Sequence, residues 1–296
     1  MHFTLGMAQI NTALGDVQAN LDKHLAYIDQ AREQKVDLLC FPELSLTGYS
    51  LQDLTEHVAE QPMPDSPMFK PLLKASRDLD LLVGFVHEDH RHRFYIAAAY
   101  LSKGDLVHVH HKCYLPTYTL FDEGRHFAVG DDPRAFDTRF GRVGIAICED
   151  FWHASLPYLL WADGADIMLF TSASPGRGLS DDPKLDSARW VERVTQAYAS
   201  MFTNFVAHTN RVGFEDGFNF WGGSIVYDPD GETIVHAPYF EEALITTCVD
   251  THHLRRTRAR LPLLRDERPG FTARVLDRIL SERAENISSN GGSSAR

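Results

Sequence analysis

Three side chains in this sequence stand where an apolar, strand-like run stops and a loop begins, and together they could cut an acyl bond. Glu43 follows Leu38-Leu39-Cys40-Phe41-Pro42, Lys112 follows Val107-His108-Val109-His110-His111, and Cys148 follows Gly144-Ile145-Ala146-Ile147. Loops at strand ends are where reactive groups are usually presented. A thiol needs a base to become a nucleophile, and the tetrahedral adduct of acyl transfer needs a cation or N–H donors facing its oxyanion. A carboxylate, an ammonium and a thiol cover those needs. Taken singly, each has a plainer explanation as a solvated loop acid, a surface charge and an inert core thiol.

The elements that must position these residues alternate between strand and helix. Residues 3–10 alternate large and small side chains as a strand does, and 11–16 supply a turn. Asp16 is placed to cap a helix whose Val17, Leu21, Leu25 and Ile28 repeat at helical spacing to about Glu33. Residues 36–41 read as a buried strand closed by Pro42, which completes a βαβ opening and predicts an α/β fold. The pattern then predicts a helix near 66–79, strands near 81–86, 94–101, 106–111 and 142–147, and a helix near 154–163. A strand at 165–170, a long helix near 184–202, and strands near 204–209, 223–227 and 243–249 follow. The expected organisation is one domain over 1–250, an arm and helix over 251–285 at a subunit interface, and a disordered tail over 286–296, too polar to pack. Within the arm, 254–268 is basic and 272–283 reads as a short helix.

Composition narrows the function. With 41 acidic and 29 basic residues the formal charge is −12, so nucleic acid is not an expected partner. The chain is 44% hydrophobic and 24% charged, ordinary for a globular protein that buries about three-quarters of its unfolded surface. No apolar run approaches the ~18 residues of a membrane helix. Met1-His2-Phe3-Thr4-Leu5 lacks a basic n-region and an apolar h-region, so a cytoplasmic location is expected. Cysteines 40, 113, 148 and 248 form no Cys-x-x-Cys pair.

Phe-Pro-Glu-Leu-Ser-Leu-Thr-Gly-Tyr at 41–49, His-Lys-Cys-Tyr-Leu-Pro at 111–116 with Phe-Asp-Glu at 121–123, and Gly-Ile-Ala-Ile-Cys-Glu-Asp at 144–150 resemble, in that order, the nitrilase superfamily of carbon–nitrogen hydrolases. Gly15-Asp16 with Asn20-Leu21, Asn210-Arg211-Val212-Gly213, Gly222-Gly223-Ser224 and Asp228-Pro229-Asp230-Gly231 extend the likeness from Ala8 to about Asp250. The resemblance implies a four-layer αββα sandwich with Glu43 as general base, Lys112 as oxyanion stabiliser and Cys148 as nucleophile. Glu123 would be the family's second glutamate, which positions the substrate or the lysine. The implied reaction cleaves a non-peptide C–N bond of a small amide, either a glutamine-like ω-amide or an N-carbamoyl compound. It passes through a Cys148 thioester, releases ammonia and needs no metal or organic cofactor. A homodimer or higher homo-oligomer is implied as well.

Within the superfamily, Cys148-Glu149-Asp150-Phe151-Trp152, the 118–123 stretch and Ser172-Ala173-Ser174-Pro175 are most similar to the glutaminase domain of glutamine-dependent NAD synthetases. This adds Tyr49, Tyr118, Glu149, Ser174 and Arg177 as substrate-binding or supporting candidates, Arg177 offering a bidentate fork to a carboxylate. No Gly-rich phosphate loop follows residue 250, so coupled NAD synthesis is not expected of these residues. True nitrilases usually carry Trp directly after the cysteine, where Glu149 stands here, and nitrile hydrolysis is therefore the alternative rather than the leading activity.

Two further alternatives come from other classes. Strand alternation puts His108 and His110 on one face, a metal-ligand spacing that would suit a metal-dependent hydrolase. A catalytically silent scaffold with the same fold is the other. A nucleophilic Cys148 should carry a low pKa and alkylate faster than the other cysteines at mildly acidic pH. Cys40 and Cys248 are expected in the core, and Cys113 is expected to turn away from the site. The Arg-rich arm, poorly suited to packing inside its own domain, is expected to pair with acidic surface, including that of a neighbouring subunit.

Overall fold

The computed structural model describes residues 1–176 and 184–291, with side chains through residue 285. Two six-stranded mixed sheets form its centre. The first contains β1 (His2–Gln9), β2 (Leu38–Cys40), β3 (Asp80–Glu88), β4 (Phe94–Ser102) and β5 (Asp105–His111). The second contains β6 (Phe136–Thr138), β7 (Gly141–Ile147), β8 (Ile167–Ser172) and β9 (Phe205–Asn210). A separate hairpin, β10 (Val212–Glu215) and β11 (Phe218–Trp221), precedes β12 (Ile225–Tyr227) and β13 (Thr233–His236), which complete the second sheet. The last strand, β14 (Ala243–Asp250), returns to the first sheet, so the orders are β14-β1-β2-β3-β4-β5 and β13-β12-β9-β8-β7-β6. In each sheet three consecutive central strands are parallel, β1-β2-β3 and β7-β8-β9, and the outer pairings are antiparallel.

Side-chain alternation builds the layers, because successive residues of a strand face opposite sides. Phe3, Leu5 and Met7 of β1 meet Val143, Ile145 and Ile147 of β7 in the core between the sheets. The opposite face of the first sheet, through Leu81, Val83 and Phe85, packs on Leu21, Ile28 and Ala31 of helix Val17–Glu33 and on Phe69 and Leu72 of helix Phe69–Ala75. The outer face of the second sheet is covered in the same way by Leu156 and Leu160 of helix Ser155–Ala162 and Val191 and Tyr198 of helix Asp186–Phe202. Each fully buried Leu, Ile or Phe contributes about 1.5–3 kcal/mol of transfer free energy, so three apolar interfaces hold the strand ends in place. This is the four-layer αββα sandwich. Asp16 caps the first helix as expected, its carboxylate accepting from Ala19 N at 3.0 Å.

Several elements differ from the sequence pattern for local reasons. The strand expected at 165–170 runs Ile167–Ser172, because the turn at Gly164 (φ 88°) is followed by Ala165 N bonding back to Leu160 O. Strands β6, β10, β11 and β13 have only three or four residues each, too few for a periodicity to register. Cys248 is exposed rather than core, since it sits on edge strand β14 and alternates outward while Val249 turns in. The final helix, Pro269–Gly291, exceeds the expected 272–283 and takes in the first residues of the tail expected to be disordered. Once a helix is nucleated, each added residue gains a hydrogen bond, which offsets the weak propensity of Asn and Ser.

The basic arm finds its acidic partners within its own subunit. Residues His252–Arg260 form a helix that docks on its own domain through buried Leu254 and Thr257. Arg258 pairs with Asp166 and donates to Asn204 Oδ1 at 2.7 Å, and Arg260 and His253 both engage Asp230. Acidic surface was expected to pair with the arm, in this subunit or a neighbour, and here it belongs to the same fold. Among the described residues, no helix is long and apolar enough to cross a membrane.

Candidate active site

Glu43 is fixed by the tightness of its loop. β2 ends at Cys40, just before Pro42, and Phe41 N bonds Leu82 O while Leu46 N bonds Gly84 O, laying the loop across β3. A Cβ at Gly84 would stand 2.4 Å from Pro42 O and 2.5 Å from Leu44 N, so only glycine lets the loop lie so close. From the other side, His24 stacks on Phe41 with ring centroids 4.0 Å apart and meets Ser45 Oγ at 2.9 Å. Burial lowers the His24 pKa to about 4, which keeps that support neutral. Glu43 itself is buried. Its Oε2 accepts from Ala173 N at 2.8 Å, a donor just past β8 on the other sheet, and its Oε1 accepts from Lys112 Nζ at 2.7 Å.

Lys112 follows β5 directly and is 0% exposed. Its Nζ lies between two carboxylates, donating also to Glu123 Oε1 at 2.8 Å. Burial opposes the ammonium, but Glu123 and Glu43 outweigh it and hold the lysine pKa well above its ordinary value. The complement appears on Glu123, whose burial pushes its carboxyl up to about 7 against the pull of Lys112. Tyr49 OH donates to the same Glu123 Oε1 at 2.6 Å, while Glu123 Oε2 is buried with no partner among the described residues. Tyr49 is held in turn by Glu215, whose Oε1 accepts from Tyr49 N and Ser50 N at 2.9 and 2.7 Å. Glu215 pairs at 2.7 Å with buried Arg211, which lies 4.4 Å over the Phe220 ring.

Cys148 opens a 3₁₀ turn, Cys148–Trp152, at the end of β7, with φ 49°. A non-glycine residue in the left-handed region is strained, and a sharp strand-to-turn bend of this kind lifts a nucleophile out of its strand. The thiol is buried and electrostatically coupled to Glu43, Lys112 and Glu123. Burial first, and Glu43 second, push its pKa well above normal, with Lys112 opposing. That direction is opposite to the low pKa expected of the thiol.

The remaining candidates are placed around this centre. Tyr118 is 44% exposed and its OH donates to both oxygens of Glu149 at 3.1 and 3.0 Å. Ser174 is buried next to Ala173, its N–H donating to Asn210 Oδ1 at 3.0 Å. Arg177 lies outside the described residues. Cys113 Sγ, expected to turn away from the site, donates to His111 O at 3.5 Å. A cavity of about 300 Å³, lined by Tyr49, Phe121, Glu123, Asp216 and Phe218 among others, borders Glu123 and Tyr49 but is not lined by Glu43, Lys112 or Cys148.

Among the described residues, two groups of three potential metal ligands come together: His110, Cys113 and Asp150, and Asp228, Asp230 and His253. His108 belongs to neither and stacks on Phe136 at 4.4 Å. The pairing of His108 with His110 as joint ligands is thus not what the fold assembles. Sequence reasoning gave no part to the Ala173 N–H, to Asp150 or to the Arg211–Glu215 pair. Ala173, Asp150 and Arg211 did fall within motifs, Ser172-Ala173-Ser174-Pro175, Cys148-Glu149-Asp150-Phe151-Trp152 and Asn210-Arg211-Val212-Gly213, whereas Glu215 fell in none.

The carbon-nitrogen hydrolase family profile matches residues 4–259. The chain is 31% identical over 257 residues to the glutamine-dependent NAD(+) synthetase of Aquifex aeolicus, covering 86% of this chain and 43% of that protein. It superposes on the glutamine-dependent NAD+ synthetase of Acinetobacter baumannii with a TM-score of 0.75 and 27% identity, over 86% of this chain and 47% of the other. A carbon-nitrogen hydrolase of Helicobacter pylori, 23% identical, shares the fold with a TM-score of 0.82 over 93% of this chain and 99% of its own. The chain spans less than half the length of the two synthetases. With the family match running through both sheets and across Glu43, Lys112 and Cys148, this chain belongs to the carbon-nitrogen hydrolase family and is a C–N hydrolase.

Proposed function

We propose that Glu43, Lys112 and Cys148 hydrolyse the C–N bond of a small amide through a thioester on Cys148. The observation that carries this reading is the fully buried Lys112 ammonium, gripped by Glu43 and Glu123 and coupled to the Cys148 thiol. Glu43 takes the thiol proton as sulfur attacks the carbonyl carbon, since a thiol that rests protonated needs its base at the moment of attack. Lys112 Nζ and a backbone N–H after Cys148 hold the tetrahedral oxyanion. Collapse breaks the C–N bond, and Glu43 returns the proton to the departing ammonia. Water, losing a proton to the same carboxylate, then cleaves the thioester to acid and thiol. Glu123 and Tyr49 keep the ammonium in place.

We infer a glutamine-like ω-amide as the preferred substrate, with N-carbamoyl compounds second. Support comes from the polar Tyr118–Glu149 pair beside the nucleophile, from Ser174, and from the likeness to glutamine-dependent synthetases. An aromatic nitrile would leave such polar groups desolvated and unpaired, at about 1–3 kcal/mol each. The test is kcat/KM for ammonia release from glutamine, propionamide and benzonitrile, with Cys148→Ala as blank. Glutamine should lead. Propionamide ahead of glutamine would remove the amino-acid preference, and benzonitrile in front would sink the amidase reading.

A further inference from the structure

The His-x-His segment and the carboxylate two residues beyond Cys148 have no part in the chemistry above, yet they meet in the interior. Asp150 is 0% exposed and His110 3%. Asp150 Oδ2 accepts from His110 Nε2 at 2.8 Å and from Ile147 N at 2.9 Å, while Oδ1 accepts from Cys113 N at 2.8 Å and Tyr114 N at 3.0 Å. A carboxylate offers about four acceptor sites, and four donors fill them. Three of those donors, at 110, 113 and 114, flank Lys112 at the end of β5. The fourth immediately precedes Cys148 on the second.

That arrangement answers a mechanical problem. Lys112 and Cys148 are carried by different sheets, and the packing between the sheets is apolar and therefore non-directional. Hydrogen bonds are directional and fix position to tenths of an ångström. Tyr114 repeats the link slightly further on, stacking on His153 at 3.8 Å and sharing a 2.8 Å hydrogen bond with Ser155 Oγ. Although His110, Cys113 and Asp150 are close enough to hold an ion, a metal there would have to displace donors that already saturate Asp150. The group is better suited to a mechanical role.

We propose that Asp150, held by His110, is a positioning residue that sets Lys112 and Cys148 in register across the two sheets. The inference rests on the reading of Glu43, Lys112 and Cys148 as the reacting groups. Its test compares two replacements of His110. Gln keeps an N–H donor near the position of Nε2, and Leu keeps bulk but leaves Asp150 one donor short. In His110→Leu, kcat for ammonia release from glutamine or propionamide should fall about 100-fold, the cost of a misplacement near 1 Å, while KM stays within about threefold. His110→Gln should stay within about threefold of the parent kcat, a rescue expected only if the hydrogen bond and not ring volume matters. The rate at which iodoacetamide alkylates Cys148, followed by mass spectrometry, gives a reading that needs no substrate. It should slow in His110→Leu and not in His110→Gln. If the Leu variant fails to fold, His110→Asn, whose amide is too short to reach Asp150, replaces it. Equal kcat and equal alkylation in folded Gln and Leu (or Asn) variants would overturn the proposal. Cys148→Ala keeps the two ideas apart: turnover surviving there defeats the catalytic reading, whereas a dead Cys148→Ala beside a fully active His110→Leu defeats only the positioning role.

Discussion

Replacing Tyr49 with Phe removes one oxygen from the buried centre and should move the acid limb of the pH profile. The Tyr49 OH donates at 2.6 Å to the Glu123 oxygen that also receives Lys112. Burial has raised Glu123 to about 7, with Lys112 and the Tyr49 hydrogen bond both pulling the other way. The ionised form of Glu123 holds the lysine, so activity should rise with pH through about 7 in the parent. A hydrogen bond to a charged group is worth about 1.5–3 kcal/mol, which at 1.36 kcal/mol per pKa unit is roughly 1–2 units. Deleting it disfavours the ionised form, and the limb should move upward to about pH 8–9. At pH 7 the ionised fraction would drop from about a half to about 1–10%, a loss of roughly 5- to 50-fold that is regained near pH 10. The assay is kcat/KM for ammonia release from pH 5.5 to 10, with about five evenly spaced points per limb. Acid limbs that superimpose for parent and Tyr49→Phe would refute this account of Glu123.

Other perturbations have equally definite outcomes. Cys148→Ala, Glu43→Gln and Lys112→Ala should each abolish turnover, and any double variant should lose little more than its worse single member, because the three act as one unit; losses in kcat/KM that multiply would show independent roles. Lys112→Ala should also lower the melting temperature, since it leaves Glu43 and Glu123 buried without their cation, at about 3–5 kcal/mol; an unchanged melt would contradict the buried pair. Gly84→Ala forces the Glu43 loop off β3 and should cost about 1–3 kcal/mol or more together with activity, to be read by denaturant titration. Helix Pro269–Gly291 exposes Leu276 and Leu280 one turn apart, 53% and 63% accessible. If the chain self-associates through that face, Leu276→Glu with Leu280→Glu should shift light-scattering mass toward monomer, and an unaltered mass excludes the face.

The roles proposed for Glu43, Lys112 and Cys148 came from the resemblance to a family, whereas the residues themselves stood out as candidates because an apolar run that halts at a polar residue is a local pattern, visible in a dozen letters. The layers were legible for the same reason, since alternation in β1 and β7 and the 3.6-residue stripe of Val17–Glu33 are short-range. What escaped was long-range or carried by backbone. Ala173 N–H has no side-chain signature, and it reaches Glu43 across 130 positions. Asp150 looked like part of a motif rather than a four-way acceptor, because its donors lie 36 to 40 residues away except for Ile147. The state of the Cys148 thiol depends on burial and on the count of neighbouring carboxylates, neither of which a single sequence displays. Cys248 shows the limit of apolar context, which distinguishes a strand from a loop but not a central strand from an edge.

The Glu43 carboxylate receives one bond from the first sheet and one from the second, through Lys112 Nζ and Ala173 N. On the proposed mechanism neither half of the sandwich contains a working fraction of the centre: Glu43 and Lys112 come on one sheet, Cys148 on the other. The domain should therefore resist dissection, so that no fragment ending between β5 and β7 retains even slow turnover, while two such fragments mixed together should regain it only to the extent that they re-form the apolar interface. Ammonia release then doubles as a gauge of sheet docking. Under rising denaturant it should vanish with the first separation of the layers, before helical signal is lost.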